Sequence, residues 1–286
     1  MPSMSMRLCW SRFRRNRPGY RSLWIFFGLV ALSLCTIFIA NDRPLLVRFD
    51  GKYFAPVFID YPDSAFGGEF GMVAADFRDA DLQKLIAAKS GTIVWAPIRF
   101  SYDTFNVDIP TPAPSPPTWM LSASDCRPVA EAKGRTSCRD LPQNWLGTDE
   151  AAHDVAARAM HGVRFAVEIG LGVACAALLI GLAAGAAARR TLPDATTMTI
   201  RALPSIFCWS IAALIALDFA GYGVPPGWPS LGELLRQAKT NAEAPWIAVG
   251  GLIGLGVVAA LCILGRFIRR GLRDAFDAAL AHPRAR

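Results

Sequence analysis

The stretch APWIAVGGLIGLGVVAALCILG, residues 244–265, runs for 22 residues without a charged side chain. A helix needs roughly 20 apolar residues to cross the hydrocarbon core of a bilayer, so this stretch predicts a membrane span. Three more charge-free runs lie upstream: 23–40 with 18 residues, 169–188 with 20 and 202–217 with 16. The last is short and opens on Leu203-Pro204, a proline tolerable in a first helical turn. Extending it to 202–222 admits Asp218, a charge that costs less near a helix end than at mid-membrane.

Composition points the same way. Of 286 residues 53% are hydrophobic and only 19% charged, and the mean hydropathy is +0.31, which excludes a soluble globular protein. The net charge of +7 invites a nucleic-acid reading, but its distribution argues for a membrane and no nucleic acid. Residues 1–22 hold six Arg and no acid, and residues 266–286 hold six Arg against two Asp. Residues 41–161 hold 16 acids against 12 bases. Basic ends around apolar runs mark the cytoplasmic side.

With the N-terminus inside, every inside segment is basic, including Arg189, Arg190 and Arg201 after the second span. Residues 1–40 read as an uncleaved span and not a removed signal peptide, because Ile39-Ala40-Asn41-Asp42 offers no small-x-small cleavage site. The expected fold is a mainly α-helical polytopic membrane protein with about four transmembrane helices and both termini cytoplasmic. Its order is a basic N-terminus (1–22), a span (23–40), a large periplasmic segment of short mixed elements (41–161), a span (162–188), a short cytoplasmic connection (189–201) and a span (202–222). A periplasmic loop with a short helix near Ser230–Arg236 (223–243), a span (244–265) and a basic cytoplasmic tail (266–286) follow.

In the outer segment, 53–59 and 92–100 are candidate strands, and 122–140 reads as polar loop. Residues 110–117 hold five prolines in eight positions and predict an extended connector. Cys126 and Cys138, twelve positions apart, could form a disulfide in an oxidising compartment. A metal site is disfavoured because His153, His161 and His282 are scattered. No phosphate-loop, nucleophile-elbow or H-E-x-x-H pattern occurs, so no catalytic residue or cofactor is assigned and ATP would be hydrolysed by a partner. Gly250-Gly251 and Gly254-x-Gly256 read as helix-packing sites.

Two signatures are more specific. One is Asn144-Trp-Leu-Gly-Thr-Asp149, followed by Asp154-Val-Ala-Ala-Arg158 and Gly162-Val-Arg164. The other is Leu217-Asp-Phe-Ala-Gly-Tyr-Gly-Val-Pro-Pro226, then Pro229-Ser-Leu-Gly-Glu-Leu-Leu235, Ala244-Pro-Trp246 and Gly271-Leu-Arg-Asp-Ala-Phe-Asp277. Together they resemble the permease subunits of bacterial peptide-class ABC importers. Ser22-Leu-Trp-Ile-Phe, 39–48 and Trp95-Ala-Pro-Ile-Arg-Phe100 resemble the YejE type, linked to oligopeptides and microcin-C-like peptides. The resemblance implies an inner-membrane subunit that works with a second permease, ABC ATPase subunits and a periplasmic peptide-binding protein.

On this reading Gly147, Thr148, Asp149, Asp154 and Arg158 lie at the periplasmic mouth. Thr148 and Asp149 could cap a helix beginning near Ala151, a structural role preferred over direct substrate contact. Asp218 is the acid to examine for function. Two departures stand out. Ala152 and His153 replace the Gly-Arg pair of the family motif. Only 189–192 separate the second span from Leu192-Pro193-Asp194-Ala195, which resembles the end of the family's coupling segment. The chain resembles a permease without its two central spans and coupling segment, which leaves a non-transporting membrane scaffold as the alternative.

Overall fold

The computed structural model describes residues 2–68, 73–132, 137–187, 192–225 and 227–281. Four of its helices are long and apolar enough to cross a membrane: Arg17–Phe38, including a closing 3-10 turn, and parts or all of three longer helices. Their mean hydropathies lie between 1.8 and 2.6.

α1 (Pro2–Arg15) leads into α2 (Arg17–Leu34) through Asn16, whose side-chain oxygen accepts from the Gly19 N–H at 3.1 Å. α2 starts six residues before the expected span because Pro18 fits a first turn and lacks the N–H that a cap would have to satisfy. Strands β1 (Leu46–Phe49), β2 (Lys52–Phe54) and β3 (Thr92–Val94) form an antiparallel sheet ordered β2-β1-β3, with Val47 opposite both Phe54 and Ile93. α3 (Ala80–Ala88), capped by Asp79, lies on it. Val47, Phe49, Phe66, Phe77, Leu82 and Ile86 make a core separate from that of the long helices.

The expected strand 92–100 ends at Val94, because Pro97 removes a ladder donor. The stretch 122–140 is not all loop: α4 (Ala123–Ala132) occupies its first half, opened by the Asp125 and Ser122 bonds at its start. The proline-rich 110–117 is not a free connector either, since Ser115 and Pro117 are buried against residues 144–148.

α5 (Val155–Ala187) starts seven residues before the expected second span. α6 (Leu192–Phe219) starts ten before the expected third, so most of the expected connection 189–201 is helical and Pro204 lies inside the helix. Residues 188–191, and with them Arg189 and Arg190, lie outside the described residues, as does His282. α7 (Leu231–Thr240) is the short helix read near Ser230, and α8 (Pro245–Ala281) continues through most of the expected tail. No proline interrupts 266–281, and Ile268, Leu272 and Ala275 give it an apolar stripe that buries Phe13 of α1.

The long helices pack around Val30, Val163, Val167, Phe207, Ile211, Leu231, Val258 and Leu261. Gly250 and Gly254 admit the side chains of Val155 and Leu231, as small residues at a helix interface should, whereas Gly256 faces open space. The bundle thus has a loop end, bearing the described residues of 41–154 and α7, and a terminal end, bearing α1 and the last turns of α8.

Candidate functional site

The motif residues converge at the loop end, where α5 begins. Gly147 is the pivot. Its φ of +68° is left-handed, and a Cβ there would stand 2.6 Å from the Ser115 carbonyl oxygen and 2.7 Å from the Trp246 ring. Beside it Thr148 is fully buried. Its Oγ1 accepts from the Ser115 N–H, its own N–H donates to the Ser115 carbonyl, both at 2.8 Å, and its carbonyl accepts from Trp246 Nε1 at 2.9 Å. Thr148 therefore joins the proline-rich stretch to the start of α8.

Asp149 organises the next turn. Its Oδ1 accepts from the N–H groups of Ala151 and His153, both at 2.9 Å, and its Oδ2 pairs with Arg158 Nη1. The two side chains are 0% and 4% exposed, so this ion pair is out of water. Burial pushes the Asp149 carboxyl up, but the His153 bonds and the Arg158 guanidinium outweigh it and hold the pKa below its usual range.

The helix does not begin near Ala151, as the sequence suggested. Ala152 has φ of +60°, which ends the Asp149 turn, and the helix starts at Val155 with Asp154 as its cap. The Ala157 N–H donates to Asp154 Oδ1 at 2.7 Å, while Oδ2 is buried with no partner among the described residues. Burial lifts the Asp154 pKa to about 7, against the lowering effect of the Ala157 and Ala156 N–H bonds. Thr148 and Asp149 thus serve the preceding turn, and Asp154 does the capping assigned to them.

Arg158 also reaches across the fold, its Nη2 donating to the Trp228 carbonyl at 3.4 Å in the loop between α6 and α7. That loop is ordered by Asp218. Its buried carboxylate accepts from the Val224 N–H at 2.8 Å and from Ser230 Oγ at 2.5 Å, and Ser230 in turn caps α7 through the Glu233 N–H at 3.3 Å. Both Asp218 oxygens are occupied by the turn.

Gly147, Thr148, Asp149, Asp154 and Arg158 therefore form one cluster, with Asp218 joined to it through the 223–230 loop. Cys126 and Cys138 form a disulfide elsewhere in the outer segment, between α4 and the 3-10 turn at Cys138–Asp140. Ser115 and Trp228 also belong to the Gly147–Arg158 cluster. Neither carries a local signal, because their partners lie 33 and 70 residues away. No group of three or more metal-ligating side chains occurs among the described residues.

No family model matches the chain. It is 31% identical to the peptidoglycan transport system permease protein YejE of Agrobacterium fabrum, with 94% of this chain and 91% of that protein covered. It is 32% identical to the inner membrane ABC transporter permease protein YejE of Escherichia coli, covering 94% of this chain and 95% of that protein. A shorter match, 33% identical over 86 residues, is to the oligopeptide transport system permease protein OppC of Lactococcus lactis, 29% of each chain. The two long alignments run over 354 and 353 positions. This chain has 286 residues, so the Agrobacterium alignment leaves at least 68 positions without a counterpart in it. Identity at this level over nearly the whole chain, together with four apolar spans, places the protein in the YejE family of peptide-class ABC transporter permeases of the bacterial inner membrane.

Proposed function

We propose that the chain is the membrane-spanning subunit through which an oligopeptide, of the microcin-C-like or peptidoglycan-derived kind, crosses the inner membrane. ATP is hydrolysed by separate ATPase subunits, a second permease subunit completes the pathway, and a periplasmic binding protein delivers the peptide. Both termini face the cytoplasm and the loop end faces the periplasm, with spans close to 23–40, 162–188, 202–222 and 244–265. The support for orientation is the arginine distribution, since Arg12, Arg14, Arg15, Arg17 and Arg21 share the terminal end with Arg269, Arg270 and Arg273. The observation that carries the function is the coverage of 94% of the chain by two YejE permeases.

In this reading Gly147, Thr148, Asp149, Asp154 and Arg158 build the periplasmic mouth, and Asp218 holds its far wall without touching peptide. A second reading, a membrane scaffold that no longer transports, is favoured by the 68 or more positions that the Agrobacterium relative has and this chain lacks. Reconstitution with the neighbouring subunits separates the two. Transport requires peptide-stimulated ATP hydrolysis in proteoliposomes, and a complex that assembles with the second permease but retains no ATPase subunit would refute it.

A further inference from the structure

A cavity of about 390 Å³ opens beside the cluster at the loop end. Ile37 with residues 41–43 after the end of α2, Val57, residues 101–103, α5 from His161 to Glu168 and Trp228 with Pro229 wall it, five stretches brought together only by folding. Its charges do not cancel. Arg43 is committed to an ion pair with Asp60, and Arg164 Nε to Glu168 Oε1 at 2.7 Å. That leaves two wall carboxylates without a cation. Asp42 accepts from Thr104 Oγ1 at 3.0 Å, and Asp103 makes no hydrogen bond or ion pair among the described residues.

Aromatic faces complete the walls: Tyr102 stands 5.3 Å from the His161 ring, and Phe165 5.6 Å from the Trp228 ring. Surplus carboxylate beside π faces attracts a cation that carries hydrogen-bond donors. The volume exceeds that of a bare ion and lies in the range of organic-ligand pockets. The wall is also held in place, since the buried Arg158 bonds the carbonyl of Trp228.

We infer that this cavity receives a primary ammonium group, the free N-terminus of a peptide, with Asp103 and Asp42 as its acceptors. The inference rests on the peptide reading above and assigns its recognition site. Asp103 is exposed and bonded to nothing else described, so D103N removes the acceptor charge without disturbing the fold.

The test is calorimetric titration of the full chain in lipid nanodiscs with trialanine and with N-acetyltrialanine. A charge-assisted hydrogen bond is worth roughly a decade of affinity or more, so the free amine should bind about tenfold tighter. In D103N that preference should fall to about twofold or less. Equal affinity of wild type for the two peptides would overturn the inference and leave the peptide reading standing. A tenfold preference that persists in D103N would overturn the assignment to this cavity. Failure to bind either peptide would overturn the peptide reading together with the inference.

Discussion

The ion pair between Asp149 and Arg158 is the clearest place to perturb the loop end. Replacing Arg158 by Met keeps much of the side-chain volume and removes the guanidinium. Asp149 is then a carboxylate at 0% exposure whose Oδ1 still accepts two N–H bonds at 2.9 Å but whose Oδ2 has lost its partner. Breaking a buried pair on one side costs about 3–5 kcal/mol. The surviving bonds from Ala151 and His153 set the expected loss at the lower end, about 3 kcal/mol. D149N alone should cost about as much, because it strands Arg158 with only the Trp228 carbonyl at 3.4 Å. The double variant D149N/R158M removes both charges together and should be more stable than either single. Unfolding by denaturant in mixed micelles, followed by tryptophan fluorescence, gives the three values and their coupling. An R158M loss under about 1 kcal/mol, or a double variant less stable than both singles, would refute the buried-pair argument.

Asp154 should make stability depend on pH. Its folded pKa of about 7 stands above the ordinary carboxylate value of 3.8, so its contribution favours folding fully below pH 3.8 and is lost as pH rises to 7. From pH 5 to 8 wild type should lose about 3 kcal/mol relative to D154N, which keeps a capping oxygen and cannot ionise; parallel pH profiles for the two would contradict it. G170A should destabilise by about 1–3 kcal/mol, because its Cβ would meet the buried Phe207 and Ile211 at 2.8 and 2.9 Å. G172A is the control, since nothing lies within 4 Å, and its thermal unfolding should match wild type or slightly exceed it. Alkylation of the denatured, unreduced protein should label Cys9, Cys35, Cys175, Cys208 and Cys262 and leave Cys126 and Cys138 unlabelled until reductant is added, read by mass spectrometry.

The spans were legible because a charge-free run of about twenty residues has few other places to go. Their ends were not. α5 and α8 extend past the apolar runs as amphipathic helix, where Arg158 or Ile268 faces a protein neighbour instead of lipid, and hydropathy carries no mark of that neighbour. The Gly147–Arg158 motif was legible as a group, yet the structural roles of its side chains were redistributed. Thr148, Asp149 and Asp154 all have side chains suited to a helix start, and only the left-handed Ala152 decides that Asp154 is the cap. Asp218 looked like a lone acid near a span end. Its partners, Val224 and Ser230, follow a glycine-rich turn that brings them back onto it, a closure that no local pattern announces.

The two ends of the bundle are fixed by different means. At the loop end, buried charge and backbone bonds tie 115, 147–158 and 228 into one unit. At the terminal end Arg201, one of the basic residues of the expected inside connection, pairs with Asp277 at 2.9 Å and lies over the Phe276 ring. Its charge is used within the bundle. Among the described residues, the exposed arginines at that end are Arg14, Arg15, Arg17, Arg21, Arg266, Arg269, Arg270 and Arg273, on α1, α2 and α8. α8 holds Phe13 at one end and, through Trp246 Nε1 on the Thr148 carbonyl at 2.9 Å, the Gly147–Arg158 cluster at the other. A helix of 37 residues is about 55 Å long, so α8 alone spans the distance from the terminal end to that cluster.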